Sequence, residues 1–183
     1  MKQIISILIL LLFISCKKEV ETSDIELKNT HFELSKINFL DIKKIEKFNN
    51  GTEVEKSYGI SLSESYFPEI DKYEFEQPII YVRDTLNLST SVSYFFTKKD
   101  SIIRLIEYSW NQDLKKVSFI DSLYKLNKKL ISKSLKNYGT ESYEEVDYWW
   151  QKKNRWDNDS IHVFSFIFGV KEGQRTRVIV RYK

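Results

Sequence analysis

An amphipathic helical segment between residues 117 and 138 is the feature that most constrains the fold of this chain. Its apolar residues recur at spacings of three and four, which places them on one face of an α-helix. These residues are Val117, Ile120, Leu123, Tyr124, Leu130, Ile131, Leu135 and Tyr138. Lysines fill the opposite face, and Gly139 stands where helices commonly end. A helix with one apolar face must be buried against another element, which the rest of the chain has to supply.

Segments in which apolar and polar residues alternate precede this helix and predict β-strands. They cover residues 53–62, 79–82 and 86–96. The last of them is predicted to form a hairpin with residues 102–110 around a turn at residues 97–100.

Three further strands are predicted after the helix, at residues 146–156, 161–170 and 175–182, where they form a meander. A short N-terminal helix is predicted near residues 39–48. The chain is therefore expected to belong to the α+β class, as an antiparallel β-sheet packed against one long amphipathic helix at about residues 117–138.

Length and composition suit one globular domain, which we place at residues 25–183. The chain has 183 residues, of which 42% are hydrophobic and 15% aromatic. The formal net charge is only +3, an excess too small to indicate nucleic acid as a partner. Cys16 is the only cysteine, so no disulfide within the chain can hold the domain together.

The first sixteen residues have the order of a secretory signal. Lys2 supplies a positive charge, residues 4–14 are almost all apolar, and the small Ser15 precedes Cys16. The apolar run is too short for a permanent membrane-spanning helix, which needs about 20 residues. We therefore expect residues 1–15 to be a signal peptide.

The sequence Phe13-Ile14-Ser15-Cys16 resembles the lipobox of bacterial lipoproteins, although that family usually has Leu where Phe13 stands. The resemblance implies that the signal is cut before Cys16, that its sulfur is lipidated and that the new amino terminus is acylated. Two or more acyl chains hold a protein on a bilayer, whereas one binds only marginally. Residues 16–24 are then the lipidated cysteine and a polar tether. The alternatives are an ordinary cleaved signal with a free cysteine, or an uncleaved anchor.

The abundance of Ile, Lys and Asn is similar to that of lipoproteins from Bacteroidota. Other Gram-negative groups retain lipoproteins at the inner membrane with an Asp after the cysteine. Lys17 stands there in this chain, which implies an outer-membrane location in the cell envelope. Whether the protein lies on the periplasmic or the surface face of that membrane is undecided, because Val20 splits the pair of acidic residues that would mark surface export.

The sequence contains no motif for catalysis or for metal binding. Its two histidines, His31 and His162, are far apart and are predicted to be structural. HExxH, GxSxG and Gly-rich phosphate loops are absent from the sequence, and a lipidated Cys16 can be neither nucleophile nor zinc ligand. The acidic cluster at residues 144–147 (Glu144, Glu145 and Asp147) is predicted to lie in a solvated loop. We therefore expect no catalytic residues, no metal and no cofactor.

Aromatic residues between positions 148 and 156 form the first candidate binding site. They are Tyr148, Trp149, Trp150 and Trp156. On a strand, Trp149 and Trp150 point to opposite faces, so only one of them joins a given core. An exposed Trp beside a Tyr is typical of binding hot spots and of surfaces on which sugars stack. The alternative is that the helix covers one face and a loop covers the other.

Arg175, Arg177 and Arg181 form a basic stripe along one face of the last predicted strand and are the second candidate site. Such a stripe can contact anionic lipid headgroups or an acidic partner. The alternative is a solvated outer face whose charges discourage strand pairing.

Four Asp-Ser/Thr-apolar tripeptides resemble the O-glycosylation sites of Bacteroidota. Their hydroxyl residues are Thr85, Ser101, Ser122 and Ser160. The resemblance implies modification at Ser101 and Ser160, because these two fall at predicted turns.

Together these features predict a membrane-anchored envelope lipoprotein that binds a protein or glycan partner and catalyses no reaction. An immunity-type lipoprotein that neutralises a secreted toxin is the main alternative. A hydrolase is a third and weaker one, and a nucleic-acid partner is not expected.

Overall fold

A computed structural model of the protein describes residues 31–55, 62–85, 88–112, 117–170 and 173–183. The predicted signal peptide, Cys16 and the tether lie outside the described residues, as do residues 56–61 of the first predicted strand. Helix α1 is Ile42–Phe48, and a 3-10 turn at Phe39–Asp41 precedes it. Helix α2 is Val117–Leu135. The strands are β1 Gly51–Glu53, β2 Ile79–Thr85, β3 Leu88–Phe96, β4 Ile103–Gln112, β5 Thr140–Val146, β6 Trp149–Asp157, β7 Ile161–Val170 and β8 Gly173–Tyr182.

All eight strands belong to one antiparallel sheet in the order β1-β2-β3-β4-β8-β7-β6-β5. The sheet consists of two meanders, β1 to β4 and β5 to β8, which meet where β4 pairs with β8. Helix α2 connects them by carrying the chain from the centre of the sheet to its far edge. The predicted α+β class, the short N-terminal helix and the β3–β4 hairpin are confirmed.

Helix α2 ends one turn earlier than predicted. Its last residue is Leu135, after which Lys136 adopts a positive φ of 51°. The amide of Asn137 donates to the carbonyl of Ser132 at 3.2 Å, which closes the helix in the manner of a Schellman motif. Tyr138 therefore lies beyond the helix and is 88% exposed, so its assignment to the apolar face was wrong.

The acidic segment before the tryptophans is a strand and not a solvated loop. Residues 140–146 form β5, which pairs with β6 from Thr140↔Arg155 to Val146↔Trp149. The predicted single strand over 146–156 was therefore wrong at its start, because Asp147, with a φ of 51°, and Tyr148 form a two-residue hairpin turn. The predicted solvation was correct, since all seven residues of β5 are exposed.

Helix α2 covers one side of the sheet, which we call the helix side. Ile120, Leu123 and Ile131 are fully buried there against side chains such as Trp110 and Val178. Burying an aliphatic side chain of this size stabilises a fold by about 1.5–3 kcal/mol. The predicted apolar face of the helix is thus confirmed at these positions, although Leu130 is 45% exposed.

The N-terminal part of the described chain packs on the same side through a buried ion pair. The guanidinium of Arg83 on β2 donates to both carboxylate oxygens of Glu46 on α1, at 2.9 and 2.6 Å, and to the carbonyl of His31 at 2.6 Å. The side chains of Arg83 and Glu46 are 1% and 0% exposed. The Tyr94 hydroxyl donates to the same carboxylate. This cluster ties α1 and the segment before it to the sheet.

Gly51, at the start of β1, lies directly against this ion pair. A Cβ atom at Gly51 would be only 2.4 Å from Oε2 of Glu46 and 3.3 Å from its carbonyl oxygen. The absence of a side chain therefore lets the first strand approach the buried carboxylate.

Candidate binding face of the sheet

The side of the sheet opposite α2, here called the open face, carries a second and smaller apolar cluster. Phe95, Leu105 and Ile179 are buried in it, together with Phe164 and Phe166 of β7. The segment of residues 62–75 supplies the outer layer of this cluster. This layer divides the open face into two ends, which differ in what covers them.

At the first end, called the aromatic end, side chains of the outer segment lie over the sheet. Tyr66 stacks on Phe166 with centroids 5.8 Å apart and meets Phe164 edge-on at 5.3 Å. Phe67 is 4% exposed, and the guanidinium of Arg181 lies 5.8 Å from its ring centroid. Burial lowers the pKa of Arg181. The third arginine of the predicted stripe is therefore half-buried beneath aromatic cover.

At the second end, called the arginine end, two guanidinium groups share one aromatic ring. Arg175 and Arg177 each lie 5.5 Å from the ring centroid of Phe168. Arg175 is exposed, whereas Phe168 and Arg177 are half-buried. The structure thus brings two of the three predicted arginines together, and separates them from Arg181.

Glu107 of β4 is the acidic partner within the arginine end. Its carboxylate oxygen lies 3.3 Å from Nη1 of Arg177. Burial raises the pKa of Glu107, and the charge of Arg177 opposes this rise. Arg175 has no ion pair among the described residues, so Arg175, Arg177 and Glu107 together carry a net positive charge.

Trp149 belongs to the same face as the two arginines. Gln151 pairs with Phe168 in the β6–β7 register, and Trp149 is two residues from Gln151, which puts Trp149 on the open face one diagonal step from Phe168. Trp149 is half-buried. Trp150 points the other way and packs against the core on the helix side. The predicted opposite orientation of these two tryptophans is confirmed.

Trp156 is part of the core and not of a binding surface. It is 1% exposed, and its indole Nε1 donates to Oγ of Ser132 at 3.2 Å and to the carbonyl of Asn137 at 3.1 Å. It therefore fixes the C-terminal end of α2 to the sheet. Tyr148 lies at the tip of the β5–β6 hairpin, where it is 71% exposed.

The two histidines lie in separate structural positions. His31 is exposed, and its Nε2 is 2.7 Å from Oε1 of Glu33. His162 is buried beside Arg181, its partner in the β7–β8 register, with Nδ1 2.8 Å from Oδ2 of Asp157. Burial lowers the pKa of His162, and the neighbouring positive charge of Arg181 lowers it further. The side chains do not form a shared site.

The two hydroxyl residues singled out as glycosylation sites lie in exposed turns. Ser101 lies between β3 and β4 with a φ of 53°, and Ser160 lies between β6 and β7. Thr85 and Ser122 lie within β2 and α2. Modification itself stays a prediction.

Two features of this face were not found from the sequence. The aromatic cover supplied by Tyr66 and Phe67 comes from a segment without strand or helix periodicity. The ion pair between Glu107 and Arg177 joins residues 70 positions apart, so no local pattern announces it. The alternation along β8 placed Arg175, Arg177 and Arg181 correctly on one face, but it gave no sign of the cover or of the ion pair.

Comparison with protein-family models, with curated protein sequences and with solved structures finds no match to this chain. In the part of the chain that the structure describes, no helix is long and apolar enough to cross a membrane. Within the same residues, no group of three or more His, Cys, Asp or Glu side chains is arranged to hold a metal ion.

Proposed function

We propose that this protein is a lipid-anchored envelope protein that binds an acidic partner, a protein or a glycan, through the arginine end of its open face. The supporting observation is the grouping of Arg175, Arg177 and Phe168 beside Trp149 on one exposed part of the sheet. In this proposal the protein binds its partner without catalysing a reaction on it.

The geometry favours an acidic partner over a neutral sugar. The two guanidinium groups already lie over the ring of Phe168, so this ring is not free to stack on a pyranose. What the surface offers instead is guanidinium N–H groups, which bind carboxylate, sulfate and phosphate in a forked geometry. An aromatic ring behind a guanidinium adds a cation–π contact of about 0.5–1 kcal/mol at such an exposed site. Trp149 supplies the adjoining apolar contact.

The proposed anchor rests on the resemblance of Phe13-Ile14-Ser15-Cys16 to a lipobox. His31, the first described residue, lies 15 positions after Cys16, and a segment of that length spans at most about 50 Å when fully extended. The anchor would then hold His31, where the described domain begins, within about that distance of the bilayer.

Paired serine variants test the binding face. The Arg175→Ser/Arg177→Ser protein should lose at least tenfold in affinity for sulfated and carboxylated glycans, and for a cross-linked partner recovered from native envelopes. Arg181→Ser is the matched control, because that arginine lies under Phe67 and should keep its affinity. Equal affinity of all three proteins would contradict the proposal. Turnover of a glycan or peptide in the same assays would contradict the non-enzymatic part.

Membrane fractionation of a Cys16→Ser variant tests the anchor in the organism that supplies the native envelopes. The variant should keep its signal or leave the membrane fraction, and its intact mass should lack acyl chains. Wild-type protein that carries no acyl mass would refute the lipoprotein assignment and leave the binding test unaffected.

A further inference from the structure

Strand β5 forms one edge of the sheet, and no described residue pairs with its outer side. All seven of its residues are exposed, so neither α2 nor the outer segment of the open face covers it. An edge strand presents a row of unpaired backbone N–H and C=O groups, which can accept an additional strand. Seven residues make this row about 24 Å long.

The two edges of the sheet differ in how they are protected. The opposite edge, β1, has only three residues and is therefore a poor template. Strand β5 contains no Pro, Lys or Gly, and its register with β6 runs without a bulge from Thr140 to Val146. It thus lacks the devices that usually block edges, except for charge.

All charges on β5 have the same sign. Glu144 points to the open face, whereas Glu141 and Glu145 point to the helix side. Lys128 pairs with Glu141, and the Tyr143 hydroxyl donates to Glu145 at 2.5 Å. No ion pair compensates Glu144 or Glu145 among the described residues. The edge is therefore open and the charges of β5 itself are acidic, while Lys152 and Lys153 of β6 lie opposite Tyr143 and Ser142.

Charge decides which strand this edge can accept. A second copy of β5, paired antiparallel, would bring glutamates opposite glutamates, and like charges in cross-strand positions are destabilising. A strand rich in Lys or Arg would instead place opposite charges across the new pair. Tyr143 and Val146, which are 57% and 54% exposed, add apolar contact for alternate side chains.

We propose that β5 is a docking site for an extended basic segment of a partner protein, which adds to the sheet as a ninth strand. Backbone hydrogen bonds would provide affinity, and the glutamates would select lysine or arginine at the facing positions. This site goes beyond the function proposed above, because it lies on a different surface with the opposite charge.

Three labelled octapeptides test the proposal by fluorescence anisotropy with the intact mature protein. The first alternates Lys and Thr, the second replaces every Lys with Glu, and the third carries Pro at one central Thr. The Lys-Thr peptide should bind at least tenfold more tightly than either other peptide, because only it combines basic charge with an unbroken strand. Amide hydrogen exchange should slow at residues 140–146 when it is bound.

Charge-swap variants separate this site from general attraction. Glu144→Lys/Glu145→Lys should reduce the affinity for the Lys-Thr peptide at least tenfold. Glu64→Lys/Asp71→Lys changes the net charge equally at two exposed positions away from β5 and should leave the affinity nearly unchanged. Equal losses in both variants, equal binding of the Pro peptide, or protection outside β5 would overturn the proposal. A concentration-dependent dimer that protects β5 without peptide would overturn it in favour of a second copy.

Discussion

The protein contains two Arg–Glu pairs whose surroundings give them different roles. Arg83 and Glu46 form a bidentate ion pair on the helix side, with side chains 1% and 0% exposed. Arg177 and Glu107 form a single contact of 3.3 Å on the open face, with side chains 28% and 24% exposed. The residue types are the same, so burial beneath other elements decides that the first pair is closed to solvent and that the second stays partly exposed.

The tryptophans repeat this difference. Trp156 lies on the helix side, where its indole donates to groups of the α2 C-terminal end and its ring is buried. Trp149 lies on the open face and is half-buried beside the arginine end. The buried and hydrogen-bonded Trp156 stabilises the fold, whereas Trp149 keeps part of its surface exposed to solvent.

The largest expected effect is the loss of the buried pair. Arg83→Met leaves the carboxylate of Glu46 buried without its cation, which should cost about 3–5 kcal/mol of unfolding free energy. Arg177→Met is the matched control on the open face and should cost clearly less, because both side chains of this pair are partly exposed to solvent. Urea unfolding of both variants measures the two values. Similar losses of unfolding free energy in the two variants would show that burial does not distinguish the two ion pairs.

An intermediate effect is expected at Gly51. In Gly51→Ala the new methyl group meets Oε2 of Glu46 at 2.4 Å, and such overpacking costs about 1–3 kcal/mol. Because Gly51 and Arg83 share Glu46, the double variant with Arg83→Met should be non-additive by at least about 0.5 kcal/mol. The double variant with Arg177→Met should be additive. Additivity in both cycles would show that Gly51 is not coupled to the buried pair.

The smallest effect is a pH dependence at Glu107. Burial raises its pKa above the usual value of 4.5, and Arg177 opposes the rise. Glu107 therefore stays protonated to a higher pH in the folded state than in the unfolded state. The free energy of unfolding falls as the pH rises from about 4.5 through the raised pKa. Glu107→Gln should remove this fall. Thermal unfolding between pH 4 and pH 7 checks the difference in slope, and parallel profiles would contradict it.

Local patterns were sufficient to predict most of the fold. A run of residues that is apolar on both faces located β7, and alternation located β8. The spacing of Ile120, Leu123 and Ile131 located the buried face of α2. Strand β5 was missed because a strand exposed on both faces needs no apolar alternation, so its sequence from Thr140 to Val146 resembles a loop. The predicted helix ran past Leu135 because Tyr138 continues the spacing of three and four residues by chance.

The candidate site was predicted in part. Strand periodicity was enough to place Arg175, Arg177 and Arg181 on one face, and to place Trp149 and Trp150 on opposite faces. It did not reveal that Arg181 lies against Phe67. That contact depends on a segment 114 positions earlier, which has neither strand nor helix periodicity.

The sequence by itself therefore determined which side chains share a face, because strand and helix geometry repeats every two or about 3.6 residues. It also predicted the signal and lipidation of Cys16, which stay predictions. Only the tertiary structure decided which face is covered, which arginine is buried and which strand lies at an edge. These properties depend on contacts between distant segments, such as Glu46 with Arg83 and Phe67 with Arg181, and cover is a property of the assembled chain that no local period encodes.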